Sequence, residues 1–173
     1  MFRISRTLLG SVNVSADESR TDLDSHADQC AVGCNVLVVH DYDRPFQVTG
    51  YDPNGPVKNN LCTVFTAMAY DDAVTGETVI LLVHQAIRVP DLDHNLLAPM
   101  QRRTNDVTVN DVPRFLTENP TMLTHCSFVI PTDDPTEPYV IPMTLHGVAS
   151  SFPTRKPTIQ PAVQNAPASR PHG

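Results

Sequence analysis

Proline is the feature that most constrains this chain. Sixteen prolines are spread along its 173 residues. Each fixes φ and removes a backbone donor, which argues against long helices and for short strands, turns and loose ends. The length suits one domain with a hydrophobic core of its own. Aromatic residues are few and tryptophan is absent.

Between the prolines lie runs of strand character. Val36–Val39 is a short β-branched run, and Pro45–Tyr51 alternates apolar and polar residues with the period of a half-buried strand. Asp52-Pro53-Asn54-Gly55-Pro56 is dense turn chemistry, and Leu61–Tyr70 reads as the returning strand of a hairpin. Thr78–Val89 reads as a long, mainly buried strand that Pro90 closes. Asn95–Arg102 is the best short-helix candidate, with Pro99 tolerable only near a first turn. A small strand is expected at Val107–Val109, a helical turn at Arg114–Leu116, and a hairpin through Phe128–Ile130 and Tyr139–Ile141. Phe115, Leu116 and Phe128 are expected to pack on the core. From Pro153 onward, prolines recur among Thr, Gln, Ala and Ser, the composition of a disordered tail. The expected organisation is a leading strand and loop at 1–19, a core domain at 20–112, an extension at 113–152 and a tail at 153–173.

Charge and composition narrow the partners. A net charge of -7 opposes general nucleic-acid binding, which needs clustered Lys and Arg. No segment approaches the roughly 20 apolar residues of a membrane span, and the amino terminus is too short in apolar residues for a secretory signal. Cys30, Cys34, Cys62 and Cys126 are irregularly spaced and read as free thiols in a reducing compartment.

The chemistry concentrates in Leu23-Asp24-Ser25-His26-Ala27-Asp28, where two carboxylates, a hydroxyl and an imidazole lie within six residues. Taken alone, this is also ordinary turn or helix-cap composition. Two further features stand at fixed order and spacing from it. The run Ala86-Ile87-Arg88-Val89-Pro90 leads into Asp93-His94-Asn95-Leu96-Leu97 and Gln101, and a hairpin spanning about residues 46–70 lies between the two motifs.

Together these residues resemble retropepsin-type aspartic proteases of copia-type retrotransposon polyproteins, over about residues 20–112. The resemblance implies an all-β, closed-barrel acid-protease fold with one short helix and one half of the active site per chain. His26 stands where that family has glycine, and the loop is similar to that of a retroelement subgroup with histidine there. Histidine tolerates unusual backbone angles better than most residues, at a cost. By the same resemblance Asp24 is the catalytic carboxylate and Ser25 bonds across a dimer to stiffen the two loops. Ala27 is small where substrate backbone passes. Asp28 has His94 as partner in place of the family's arginine, with Asn95 beside it in the helix-leading motif. Gly50, Tyr51, Asn54 and Gly55 belong to a flap covering the substrate. Leu145–Val148 and Phe152–Pro157 resemble polyprotein sequence that follows such a protease.

The mechanism needs two facing carboxylates that share a proton and titrate as a unit, as is general for aspartic proteases. No second Asp-Ser/Thr-Gly occurs in the chain, so the implied enzyme is a twofold homodimer acting on a peptide or polyprotein substrate, with no cofactor. The alternative is a catalytically inactive retroelement fragment that keeps the dimeric β fold as an interaction module. A metal site built from Asp24, His26, Asp28, Cys30 and Cys34 fits no common zinc pattern.

Overall fold

The computed structural model describes residues 2–6, 18–48, 57–121, 123–132, 134, 136–147 and 149–158. Within these residues strands dominate, in keeping with the all-β expectation. Helix is confined to α1 (Pro99–Arg103) and one 3-10 turn at Arg114–Leu116.

The amino-terminal strand β1 (Phe2–Arg6) pairs antiparallel with β6 (Thr78–Arg88). The next strand, β2 (Glu18–Leu23), leads directly into Asp24. After it come β3 (Ala31–Val32), β4 (Leu37–Val48) and β5 (Lys58–Asp71), then β6 and β7 (Asn95–Leu97). The order across the main sheet is β1-β6-β3-β7-β2-β12-β5-β4, where β12 is Ala149–Arg155, and β11 (Thr144–His146) lies on β12. Because β5 also pairs with β6, the path β6-β3-β7-β2-β12-β5 returns to its start and closes a ring. A second, three-stranded antiparallel sheet holds β10 (Tyr139–Pro142), β9 (Ser127–Ile130) and β8 (Thr108–Asn110).

Alternation explains most of these strands. In β6, Val79, Leu81 and Val83 face inward and their neighbours less so. At Gln85 the backbone takes φ 57, the register with β5 shifts between Val64 and Thr66, and Ala86 and Ile87 are both buried. This is the behaviour of a bulge, which adds a residue to one strand and re-aims the side chains beyond it.

Several expectations are corrected. The runs at 36–39 and 45–51 belong largely to one strand, β4, carried through Asp41–Arg44 by irregular register and by Asp43 at φ 52. Its hairpin with β5 is present, but Gly50, Tyr51, Asn54 and Gly55 lie outside the described residues. The helix candidate at 95–102 divides in two. Proline disfavours helical backbone in the residue before it, and Ala98 is extended at φ -77, ψ 116. Residues 95–97 therefore remain strand, and α1 begins with Pro99 at its first turn, where the missing donor costs nothing.

The boundary near residue 112 is no boundary. Strand β8 pairs with β9, and one core holds Val64, Met68 and Leu81 together with Phe128, Ile130, Ile141 and Phe152. Residues 113–152 are thus part of the domain and not an extension of it. The tail also starts later than composition suggests. Pro153, Thr154 and Arg155 complete β12, which pairs along its length with β2, and Phe152, Thr154 and Arg155 are buried. Phe128 packs in the core as expected, whereas Phe115 and Leu116 are 80% and 67% exposed on the 3-10 turn. That turn is bounded by Pro113 and buries none of its three residues. No helix among the described residues is long and apolar enough to cross a membrane.

Candidate active site

Strand β2 sits in the middle of the ring, and its last residues set the position of Asp24. On one side β7 runs parallel to it, pairing Thr21 with Asn95 and Leu23 with Leu97. On the other side β12 runs antiparallel, pairing Leu23 with Ser150. The Asp24 N–H donates to the Leu97 carbonyl at 3.1 Å, so the aspartate is pinned where the two parallel strands end.

A tight turn follows. The Ala27 N–H donates to the Asp24 carbonyl at 3.2 Å, and the His26 N–H donates to Asp24 Oδ1 at 2.9 Å. Such a turn needs only an aspartate and a free N–H two residues on. Positive φ among the described residues occurs at Asp43, Asn60, Gln85, Asp106, Cys126, Gly76 and Gly147, so His26 holds an ordinary backbone conformation. Its side chain is 95% exposed, with Nδ1 3.9 Å from Asp24 Oδ1 and 3.4 Å from Ser25 Oγ. The conformational cost expected for histidine at this position is therefore absent. The Asp24 side chain is 36% exposed, a carboxylate reachable from solvent yet held by its backbone. Ser25 also faces outward.

Asp28 and His94 do not meet in the way the sequence suggested. Asp28 is exposed and has no hydrogen bond or ion pair among the described residues. His94 lies instead against Asp93, with Nδ1 2.6 Å from Oδ1, and against Asp22, with Nε2 3.8 Å from Oδ2. The imidazole beside Asp93 holds that carboxyl below the usual carboxylate range. The reason is local: the turn at Asp93-His94 projects the ring back along β2 toward Asp22, two residues ahead of the catalytic candidate.

Asn95 is fully buried and links three segments. Its Oδ1 accepts the Gly33 N–H at 3.0 Å, and its Nδ2 lies 3.4 Å from Thr21 Oγ1 and 3.5 Å from Thr154 Oγ1. Thr21 and Thr154 share a hydrogen bond of 2.7 Å between their hydroxyls. This buried polar cluster ties β2, β7 and β12 directly behind Asp24. Sequence reasoning found Asn95 but missed both threonines, because Thr154 lies 133 residues from Thr21 in a stretch with tail composition.

A second support comes from α1. The Gln101 side chain accepts the Cys30 N–H at 2.9 Å. The buried Cys30 Sγ accepts from the Ala98 N–H at 3.2 Å and from the Arg102 guanidinium at 2.8 Å. Arg102 is itself only 1% exposed. The far end of the aspartate loop is thereby fastened to the helix, a role that neither residue's spacing announced. Cys34 is exposed, and among the described residues no three His, Cys, Asp or Glu side chains converge as a metal site would require.

The loop and the β4–β5 hairpin border a pocket of 420 Å³ lined in part by Gln29, Tyr42, Arg44, Phe46 and Gln85. The Gln29 amide donates to the Gln85 carbonyl and so joins the aspartate loop to the bulge in β6. Comparison with protein-family models, with curated proteins and with solved structures finds no match to this chain.

Proposed function

We propose that this chain is an aspartic endopeptidase of the retropepsin type, active as a homodimer on the polyprotein of a retroelement, in the cytoplasm. One observation carries the reading: a solvent-reachable aspartate, fixed through its backbone at the end of a central strand, within a Leu-Asp-Ser-His-Ala turn whose Ser25 and His26 point outward. Such a loop can meet its own copy across a twofold axis.

Two Asp24 side chains brought together in that way share one proton, since close carboxylates do not both ionise. The ionised one takes a proton from water, and the protonated one donates a hydrogen bond to the scissile carbonyl. Water oxygen bonds to the carbonyl carbon, the C–N bond then breaks, and the nitrogen leaves with a proton from the pair. The products are a carboxylic acid and an amine. The chain's part in this is rigidity: the Leu97 carbonyl, the Asn95 cluster and the Cys30–Arg102 contact hold the loop so that little is spent on positioning it.

Peptide-library cleavage between pH 4 and 7 tests the reading. The wild type is expected to cut, with specific activity that falls on dilution as the dimer dissociates. Asp24→Asn is expected to lose at least about a thousandfold in kcat/KM while keeping its fold, and pepstatin to inhibit the wild type. A folded, dimeric wild type that cuts nothing would leave the interaction module as the better description.

A further inference from the structure

The pocket beside the aspartate loop has a chemistry more specific than a peptide groove requires. We infer that it selects a glutamate side chain of the bound peptide, with Arg44 as the residue that determines the choice. This rests on the endopeptidase reading and names the substrate class that the same site takes.

The pocket joins two kinds of wall. Pro45 and Phe46 supply an apolar side, while Arg44 is the one charged residue bordering the space, with Gln29 and Gln85 as neutral amides near it. Strand β4 reaches this arrangement through its irregular stretch. Asp43 at φ 52, braced by its N–H to Asp41 Oδ1 at 3.0 Å, bends the strand so that Tyr42, Arg44, Pro45 and Phe46 all border the space. Gln29 is committed through Nε2 to the Gln85 backbone carbonyl, which ties this wall of the pocket to β6. Tyr42 also borders the space, and its hydroxyl lies 3.3 Å from His84 Nδ1.

Arg44 is exposed, and among the described residues no carboxylate pairs with it. Arg20, Arg103 and Arg155 are paired with Asp22, Asp111 and Asp71, while Arg88 and Arg114 are exposed like Arg44 but do not border this space. A guanidinium with no carboxylate partner among the described residues, bordering a half-enclosed and partly apolar space, selects an anion on a short methylene stem. The fork of N–H donors suits a carboxylate, and Phe46 and Pro45 suit the stem. Glutamate meets both requirements. Aspartate lacks stem length, and glutamine lacks the charge.

The test uses the full chain with two readouts. Cleavage-site profiling of the wild type on a random peptide library is expected to show glutamate enriched about tenfold at one fixed position relative to the cut bond. Arg44→Ala should flatten that enrichment, and Arg44→Glu should transfer it to lysine and arginine at the same position, with cutting at other sequences retained. Binding of a fluorescent glutamate-containing peptide and its glutamine counterpart to Asp24→Asn is measured alongside, since binding does not depend on turnover. Cleavage without glutamate preference, or a preference that survives both Arg44 variants, overturns the pocket assignment and spares the protease. Arg44-dependent binding of the glutamate peptide with no cleavage by the wild type does the reverse. A chain that neither binds nor cuts these peptides overturns both.

Discussion

Two small positions near Asp24 carry opposite constraints. His26 occupies a site where a glycine is expected, yet its φ is ordinary and its side chain lies in solvent. Gly33 needs no special φ, but a Cβ there would lie 2.0 Å from the Leu92 carbonyl oxygen and 2.9 Å from that of His94. Both contacts are with backbone, so the neighbour cannot rotate away. His26→Gly should therefore change stability by less than about 1 kcal/mol, the entropy cost of glycine in an exposed turn. Gly33→Ala should cost more than about 2 kcal/mol, because it also strains the Gly33 N–H bond to Asn95. Urea denaturation midpoints of the two variants should separate them clearly, and similar midpoints would contradict this packing. The motif at 23–28 was legible as a candidate only together with the Asp93–Leu97 motif and the hairpin between them, since its own residue types are ordinary in a turn. The importance of Gly33 was not, since a close approach between loops 59 residues apart leaves no local mark.

At the scale of elements, β12 decides how the ring closes. It lies between β2 and β5, and it brings Phe152 against Tyr70 and Phe128 with ring centroids 6.1 and 5.5 Å apart. Phe152→Ala is expected to cost about 3–5 kcal/mol, as a buried aromatic truncation does. Phe115→Ala, on the exposed 3-10 turn, should move the unfolding midpoint little. Thermal unfolding of the pair checks both, and equal shifts would place Phe115 in the core after all. Strands β5, β6, β9 and β10 were readable because their own apolar residues alternate or cluster. Strand β12 was not: Pro153, Thr154 and Arg155 become buried or paired only through β2 and the β5–β6 turn.

For the whole molecule, the junction of β12 with the β5–β6 hairpin is held by charge. Arg155 donates through Nε to Asp71 Oδ2 at 2.5 Å and through a second nitrogen to Oδ1 at 2.8 Å. Thr78 adds a hydroxyl bond to the same carboxylate at 2.6 Å. The Arg155 hydrogen bond holds the Asp71 carboxyl below its usual range, with burial opposing it. The folded state thus favours the ionised form. Its contribution is complete above the ordinary carboxylate pKa and is lost as pH falls through the lowered folded value. With the carboxylate 47% exposed, solvent screening limits this to about 1 kcal/mol. Asp71→Asn should lower Tm by several degrees at pH 7, and the gap from wild type should close progressively below about pH 4. A gap that stays constant down to pH 2 would remove the ion pair from the stability of the closure.

What the sequence by itself determined is local: strands in place of long helices, the β4–β5 and β9–β10 hairpins, and one turn with an aspartate at its head. These follow from proline spacing, alternation and side-chain chemistry, all of which act over a few residues. Only the tertiary structure decided that Phe128, Ile130, Tyr139, Ile141 and Phe152 join the core of the preceding strands, that the helix starts at Pro99, that His94 turns to Asp22 and Asp93, and that Thr21, Asn95 and Thr154 meet behind Asp24. Each depends on burial and hydrogen bonding between strands distant in sequence. A short polar residue such as Thr154 is neutral in a loop and indispensable in a core, and the strand beside it makes the difference.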